Sequence, residues 1–498
     1  LNRIAPRPIA AALLGLSLIF CASNCSVPLA PGYRILKESR EVHFLPGPPP
    51  ELQVRSVYTL QNFGTTSLSF MDITFPDEKL YGRKNLHVEL DGHEITPFKL
   101  PEEYQQESPN DLRLAFDTAW ERKQSHNLTI EYSFGSPADR GSRITLGADN
   151  FHLGPRGWIP LPQPPKRVLA PYPARPPKMF YTVRMPENFL VLARGRLAGR
   201  KKDSGEIEYR FEMRTGDLAP YIVAGRYLDS SSGRQPSPIS FWTLQPLTDN
   251  SAAAVLRISA AWSTLQTDFG PLDKNIVQPR VVESPELRAY GDDEDSKTVA
   301  SFPGGALVSE DALALGLQSD ELLEKISYAL AYGWFGDQLY PSTNSAVGLS
   351  EGLPEYATVV VEEAHGGEPA RRKRIIEFLK EYDEAVKQAA ATPNPEKPVI
   401  STMLYDPIEQ RRIARTKAAL FFIALEDAYG EAPVRQGLKQ VVAILGGKEV
   451  GYDDVRSALE QSTGKSLAEP FRTWLYNKGM AQDFRSRYQT AAAASNGK

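Results

Sequence analysis

Between Leu52 and about Tyr227, apolar and polar residues alternate at every second position, in runs such as 52–60, 68–75 and 127–134. β-Branched and aromatic side chains fill the apolar positions, and together with the two-residue period they predict half-buried antiparallel strands. Runs at 179–185, 190–197 and 207–213 continue the series, which predicts a β-sandwich or an open β-barrel. From about Ala252 the period lengthens to that of a helix. Amphipathic helices are predicted over 252–269, 319–335, 350–364, 368–390, 413–429, 432–445 and 452–462. A short apolar run, Ala306 to Val308, ends a small sheet, and no fixed-period repeat is evident. The stretch 153–178 holds nine of the 40 prolines and predicts a stiff extended crossing over the domain surface, with a polyproline ligand as the alternative.

The chain has 498 residues, enough for two to four domains. With 57 basic and 61 acidic residues there is no global basic field for a nucleic-acid backbone, so no nucleic-acid partner is expected. Arg3 and Arg7 precede an apolar run from Ile9 to Ser23, and no acidic residue comes before Glu38, the pattern of an export signal over 1–25. The run is shorter than the roughly 20 residues a spanning helix needs. The expected location is periplasmic or extracellular, with membrane association only if Cys25 carries a lipid. Cys21 and Cys25 are the only cysteines, which leaves the body after residue 25 without a disulfide or a thiolate metal site. The chain begins with Leu rather than Met, consistent with an unusual start or a truncated N-terminus.

Tyr328 and Tyr332 stand one helical turn apart, on the flank of a stripe formed by Leu322, Ile326, Ala329, Leu330 and Gly333. Tyr328-Ala-Leu-Ala-Tyr-Gly-Trp-Phe-Gly336 resembles the zinc helix of the aminopeptidase N and leukotriene hydrolase family of gluzincin metallopeptidases, which reads H-E-L-A-H-Q-W-F-G. Eighteen residues separate Tyr332 from Glu351, which lies in Leu349-Ser-Glu-Gly-Leu-Pro-Glu-Tyr356, similar to the family's L-N-E-G-F-x-x-Y. Weaker likenesses at 264–271, 280–283, 417–422 and 471–475 keep the family's order, and together the resemblance covers roughly residues 50 to 482. It implies an α+β multidomain chain. An N-terminal antiparallel β-sandwich domain over 33–230 would be followed by a thermolysin-like, mostly helical peptidase domain over 231–482. A flexible tail would occupy 483–498, and the further helical domain of longer relatives would be missing.

The departures from the family pattern carry as much information. Both histidine ligand positions are tyrosine, Tyr328 and Tyr332, the glutamate that activates water is Ala329, and only the third ligand position, Glu351, is kept. Three protein ligands and an open position are the usual need of a catalytic zinc, and a phenol with a pKa near 10 is a poor replacement for an imidazole. Arg415 aligns with the tyrosine that steadies the family's tetrahedral intermediate, and the G-x-M-E-N anchor is unrecognisable around Gly304 to Val308. No catalytic residue, zinc or other cofactor is therefore expected. Glu351 is expected to be held by at least one of Tyr328, Tyr332 and Arg415. Glu362, Glu363 and His365 read as a solvated helix end and Asp292 to Asp295 as a solvated acidic turn. Gly348-Leu-Ser-Glu-Gly352 matches G-x-S-x-G but lacks a preceding strand. The implied function is an exported, non-catalytic binding module that holds a peptide or protein segment in the interdomain cleft. The alternative is a residual metallo-aminopeptidase or another hydrolase using that cleft.

Overall fold

The structure, a computed structural model, describes residues 32–64, 66–74, 84–99, 111–135, 144–154, 158–163, 178–214, 222–229, 239–273, 280–284, 299–302, 305–314, 320–342, 344–391, 395–403 and 406–495. The export segment, most of the proline-rich stretch, the acidic turn at 292–295, and Gly304 lie outside them. Two compact units are formed. The first takes residues 1–43, 52–134 and 157–181, and the second takes 44–51, 135–156 and 182–498.

In the first unit the predicted alternation becomes strand geometry. Along Glu51–Asn62, Leu52, Val54, Ser56, Tyr58, Leu60 and Asn62 are buried while most residues between them keep solvent contact. A four-stranded sheet orders Leu161–Gln163, Leu68–Thr74, Asp111–Trp120 and Phe98–Lys99, antiparallel throughout. Arg113 locks two of these strands together with a two-pronged hydrogen bond to Asp72, at 2.7 and 2.9 Å. The described residues of this unit are strands, turns and extended segments.

The second unit carries two further sheets and the helices. Leu190–Ala193, Ile222–Gly225, Asn150–Leu153 and Ile144–Leu146 form an antiparallel sheet. A mixed five-stranded sheet runs in the order Leu228–Asp229, Ser240–Thr243, Arg280–Glu283, Gly305–Val308 and Val299–Phe302. The helices are α1 (Asp249–Phe269), α2 (Glu310–Ala314), α3 (Asp320–Tyr332), α4 (Gly352–Ala390), α5 (Ile408–Tyr429), α6 (Glu431–Leu445), α7 (Tyr452–Thr463), α8 (Ala468–Phe471) and α9 (Gln482–Ser495). Thr248 starts α1 by accepting from the Ser251 amide, while the Ser251 side chain reaches back to the cap. Ala254, Ile258, Ala261, Trp262, Leu265 and Phe269 then follow at helical spacing and are fully buried in the main core.

One sequence expectation holds in detail and one is corrected. The helices predicted over 350–364 and 368–390 are the two segments of one run, α4, separated by a break at Gly367, whose φ of 67° only glycine adopts without strain. Pro369 follows directly, where it opens the second segment without costing an internal hydrogen bond. The tail expected to be flexible from 483 is the helix α9. Phe484 and Tyr488 are buried, Phe484 packs edge-on to Trp474, and the Tyr488 hydroxyl donates to Asp427 at 2.8 Å. An Ala-rich end suggested fraying, but two aromatics four apart supply the buried face.

Two stability predictions follow from the second unit. His152 is fully enclosed, and burial pulls its pKa down to about 3. Below the unfolded value near 6.5 the unfolded chain takes up a proton that the folded chain refuses, so stability falls as pH drops from 6.5 toward 3. His152→Gln should lose roughly 2 kcal/mol less than the parent between pH 6.5 and 4.5 in urea titrations, at about 1.4 kcal/mol per pH unit. Gly352 is ordinary helix by its dihedrals, yet a Cβ there would meet the Cβ of Ala418 at 2.6 Å and the Arg415 carbonyl at 3.1 Å. Gly352→Ala should cost about 1–3 kcal/mol through overpacking despite its better helix propensity, and adding Ala418→Gly should recover most of the loss in the same titration.

Candidate functional site

Asp320 and Glu321 occupy the first turn of α3, where carboxylates suit the positive end of the helix dipole. The buried stripe is Leu323, Ile326, Ser327, Ala329, Leu330 and Ala331, which leaves Tyr328 and Tyr332 half-buried on its flank. Past Tyr332 the chain widens into a π-helical turn, Gly333–Gln338. A Cβ at Gly336 would lie 2.2 Å from the Tyr332 ring, so the missing side chain at 336 makes the room in which that ring folds back.

Burial, and next the charge of Asp337, push the Tyr332 phenol up to about 12, and its oxygen shares a hydrogen bond with the Ser350 side chain. Asp337 is itself buried and pairs with Arg194 at 3.4 Å. Tyr328 is raised well above the usual phenol range, by burial first and by Glu351 second. Both rings are therefore neutral hydroxyls at physiological pH. Ala329 is fully buried in the core.

The second wall is the start of α4, entered through another π-helical turn, Val347–Glu351. A Cβ at Gly348 would meet the Tyr452 hydroxyl at 1.9 Å, so this turn is packed hard against α7. Glu351 is 7% exposed and forms a short ion pair with Arg411 of α5. This differs from the expected partners. Tyr328 and Arg415 lie within electrostatic reach of Glu351, but the contact is made one turn earlier on α5. Arg415 instead pairs with Glu355 at 3.1 Å, and Glu355 also lies 3.7 Å from Arg374. Arg374 collects Glu324 in a short contact, Glu377 at 3.3 Å and Glu381 at 3.4 Å. With one guanidinium serving so many carboxylates, burial outweighs Arg374 at Glu324 and pushes its pKa up to about 8.

Other candidates fall away from chemistry. Ser350 is buried within the π-helical turn and donates to the Ala346 carbonyl at 2.6 Å, so no strand leads into it and no nucleophile elbow forms. Glu362, Glu363 and His365 are not a solvated end as a group. Glu363 pairs with Arg435, while burial pushes Glu362 up to about 7, and His365 Nδ1 sits 2.8 Å from the Val361 carbonyl. Gly305–Val308, at the expected anchor position, is an interior strand buried at all four residues. Among the described residues no three His, Cys, Asp or Glu side chains converge as a metal set. Sequence reasoning missed Arg411, Glu355, Arg374 and the Asp337–Arg194 pair. Arg411 lies two residues before the helix predicted over 413–429, and only the longer observed helix, Ile408–Tyr429, puts it one turn before Arg415, whereas Arg194 is 143 residues from its partner.

A scan against protein-family models gives no match, and none is found among curated proteins. Solved structures do match. An M1 zinc metallopeptidase from Deinococcus radiodurans, as a Glu-to-Ala variant, aligns over 90% of this chain and 96% of that chain with a TM-score of 0.53 and 15% identity. The same variant bound to a Tyr-Ser-Ala substrate aligns over 90% and 95%, with a TM-score of 0.52 and 16% identity. A two-domain M1 zinc metallopeptidase variant bound to L-arginine aligns over 91% and 96%, with a TM-score of 0.54 and 15% identity. The chain has the fold of these M1 zinc metallopeptidases.

Proposed function

We propose that this chain is a non-catalytic member of the aminopeptidase N-like gluzincins, exported by its N-terminal segment, that binds a peptide or protein segment at the position where its relatives hold zinc. The observation that carries the reading is the ion pair between Glu351 and Arg411. The one carboxylate surviving from the ligand set is neutralised by a guanidinium, which occupies the charge role of a metal.

The remaining residues do not fit zinc. Tyr328 and Tyr332 keep their protons far above neutral pH, so neither offers an anionic oxygen, and the two half-buried guanidiniums of Arg411 and Arg415 repel a divalent cation. Ala329 cannot take a proton from water. Loss of the base alone would slow hydrolysis, while loss of the donors removes the means of making the nucleophile. Two structural relatives are bound to a Tyr-Ser-Ala substrate and to L-arginine, which supports a peptide as the ligand class.

Metal analysis of purified protein should find well under one zinc per chain, and a panel of aminoacyl anilides should show no chelator-sensitive turnover. Stoichiometric zinc with turnover abolished by chelator would overturn the reading in favour of a residual metallo-aminopeptidase. The guanidinium argument has its own test. Restoring Tyr328→His, Ala329→Glu and Tyr332→His should leave zinc affinity weak, and adding Arg411→Gln should strengthen it at least tenfold by competition with a chromophoric chelator. Equal affinity with and without Arg411 would remove that argument.

A further inference from the structure

The site has a surplus of hydrogen-bond donors. A guanidinium carries five N–H groups, yet among the described residues Arg411 gives one hydrogen bond, to Glu351, and Arg415 makes only its ion pair with Glu355. The Arg411 Nε is buried without a hydrogen-bond partner among the described residues, while the Arg415 Nε is the atom that faces Glu355, which leaves the two terminal nitrogens of Arg415 uncommitted. The Tyr328 hydroxyl, kept protonated, makes no hydrogen bond to the described residues either. The acceptors nearby are already engaged. Glu351 is held by Arg411, and Glu355 is divided between Arg415 and Arg374.

Arg411 and Arg415 are one turn apart on α5, each pairs with a carboxylate at the start of α4, and Tyr328 is within electrostatic reach of Arg415. Two guanidiniums offer donors and nothing else, and the neutral phenol can add one more. Their complement is an acceptor-only group with two oxygens, which an arginine fork binds far better than a neutral carbonyl. Glu355 and Glu381 act against a second anion near Arg415. That opposition is reduced because Arg374 draws on both carboxylates, at 3.7 and 3.4 Å.

We propose that the site is a carboxylate receptor, in which Arg411 and Arg415, assisted by the Tyr328 hydroxyl, bind a carboxylate of the peptide ligand. The inference rests on the peptide-binding reading above and narrows it. It reverses the polarity expected of the frame, since a protein cation would meet a ligand anion where relatives present a metal to a neutral carbonyl. The carboxylate is either the peptide's C-terminus or an Asp or Glu side chain.

Calorimetric titration of the full chain with Ala-Ala-Ala as free acid, as C-terminal amide and as N-acetylated acid, and with Ala-Ala-Asp amide, tests it. The free acid should bind at least tenfold more tightly than its amide, and N-acetylation should change little. Ala-Ala-Asp amide matching the free acid would show that a side-chain carboxylate serves as well as the C-terminus, and its failure to bind would restrict the receptor to the C-terminus. Arg415→Gln should erase the difference between acid and amide, and Tyr328→Phe, which preserves volume, should weaken the acid alone several-fold. Unchanged melting temperatures would show that both variants fold. Equal binding of acid and amide overturns the carboxylate receptor but leaves peptide binding intact. Acetate or inorganic phosphate binding lost in Arg415→Gln, with no peptide bound, keeps the receptor and overturns the peptide reading. No binding of any probe overturns both.

Discussion

The architecture of the site depends on one close approach, that of the first turn of α4 to α5. At Gly352 the two helices come near enough that even a methyl group would collide with Ala418. From that point their contacts advance in the same direction: Glu351 meets Arg411, Glu355 meets Arg415, and Tyr356 meets Glu426 at 2.6 Å. Because both helices present a residue every four positions on a given face, one matched pair sets the next. Carboxylates this deeply buried would be costly alone, so the approach is tolerable only because the facing helix supplies guanidiniums in register.

The same logic extends along α4 past its break. Glu426 is almost fully buried and is held by Tyr356, Arg371 and Arg435, at 2.6, 3.2 and 2.8 Å. Tyr356 precedes Gly367 and Arg371 follows it, so a single carboxylate on α5 ties both segments of the broken helix. Arg435 adds α6 and reaches Asp268 of α1 at 3.5 Å. The break at Gly367 is thus bridged by charge as well as by chain. Such a cluster is specific more than it is stabilising, because its worth lies in the penalty for separating any member.

Much of this was legible in the sequence and some was not. The change from a two-residue to a 3.6-residue period near Ala252 marks a real change from strands to helices, and α1, α3, α5, α6 and α7 fall where periodicity places them. Tyr328, Tyr332 and Glu351 could be singled out from motif spacing alone. What they touch was not found. A pattern along one helix reports which face is buried, but not which residue of another helix lies opposite, and Arg411 rather than Arg415 meets Glu351 because of the register set at Gly352. Asp337 and Arg194 are farther still from any local signal. In α9 composition misled, since the alanines that suggest a loose end are also the strongest helix formers, and Phe484 and Tyr488 supply the anchor.

On the proposed reading, two phenols standing where relatives have two imidazoles change more than metal affinity. Neutral imidazoles present lone pairs to the site, and with a glutamate they make it a collection of acceptors that calls for a cation. Neutral phenols can present a hydrogen where an imidazole lone pair would stand, and with the guanidiniums of Arg411 and Arg415 they make the same volume rich in donors. One such substitution without the other would leave mismatched groups facing each other, guanidiniums against open lone pairs or phenols against an uncompensated carboxylate. On the proposed reading, the tyrosines on α3 and the arginines on α5 are one change of sign, with Glu351 paired to a guanidinium where a metal ion would otherwise stand.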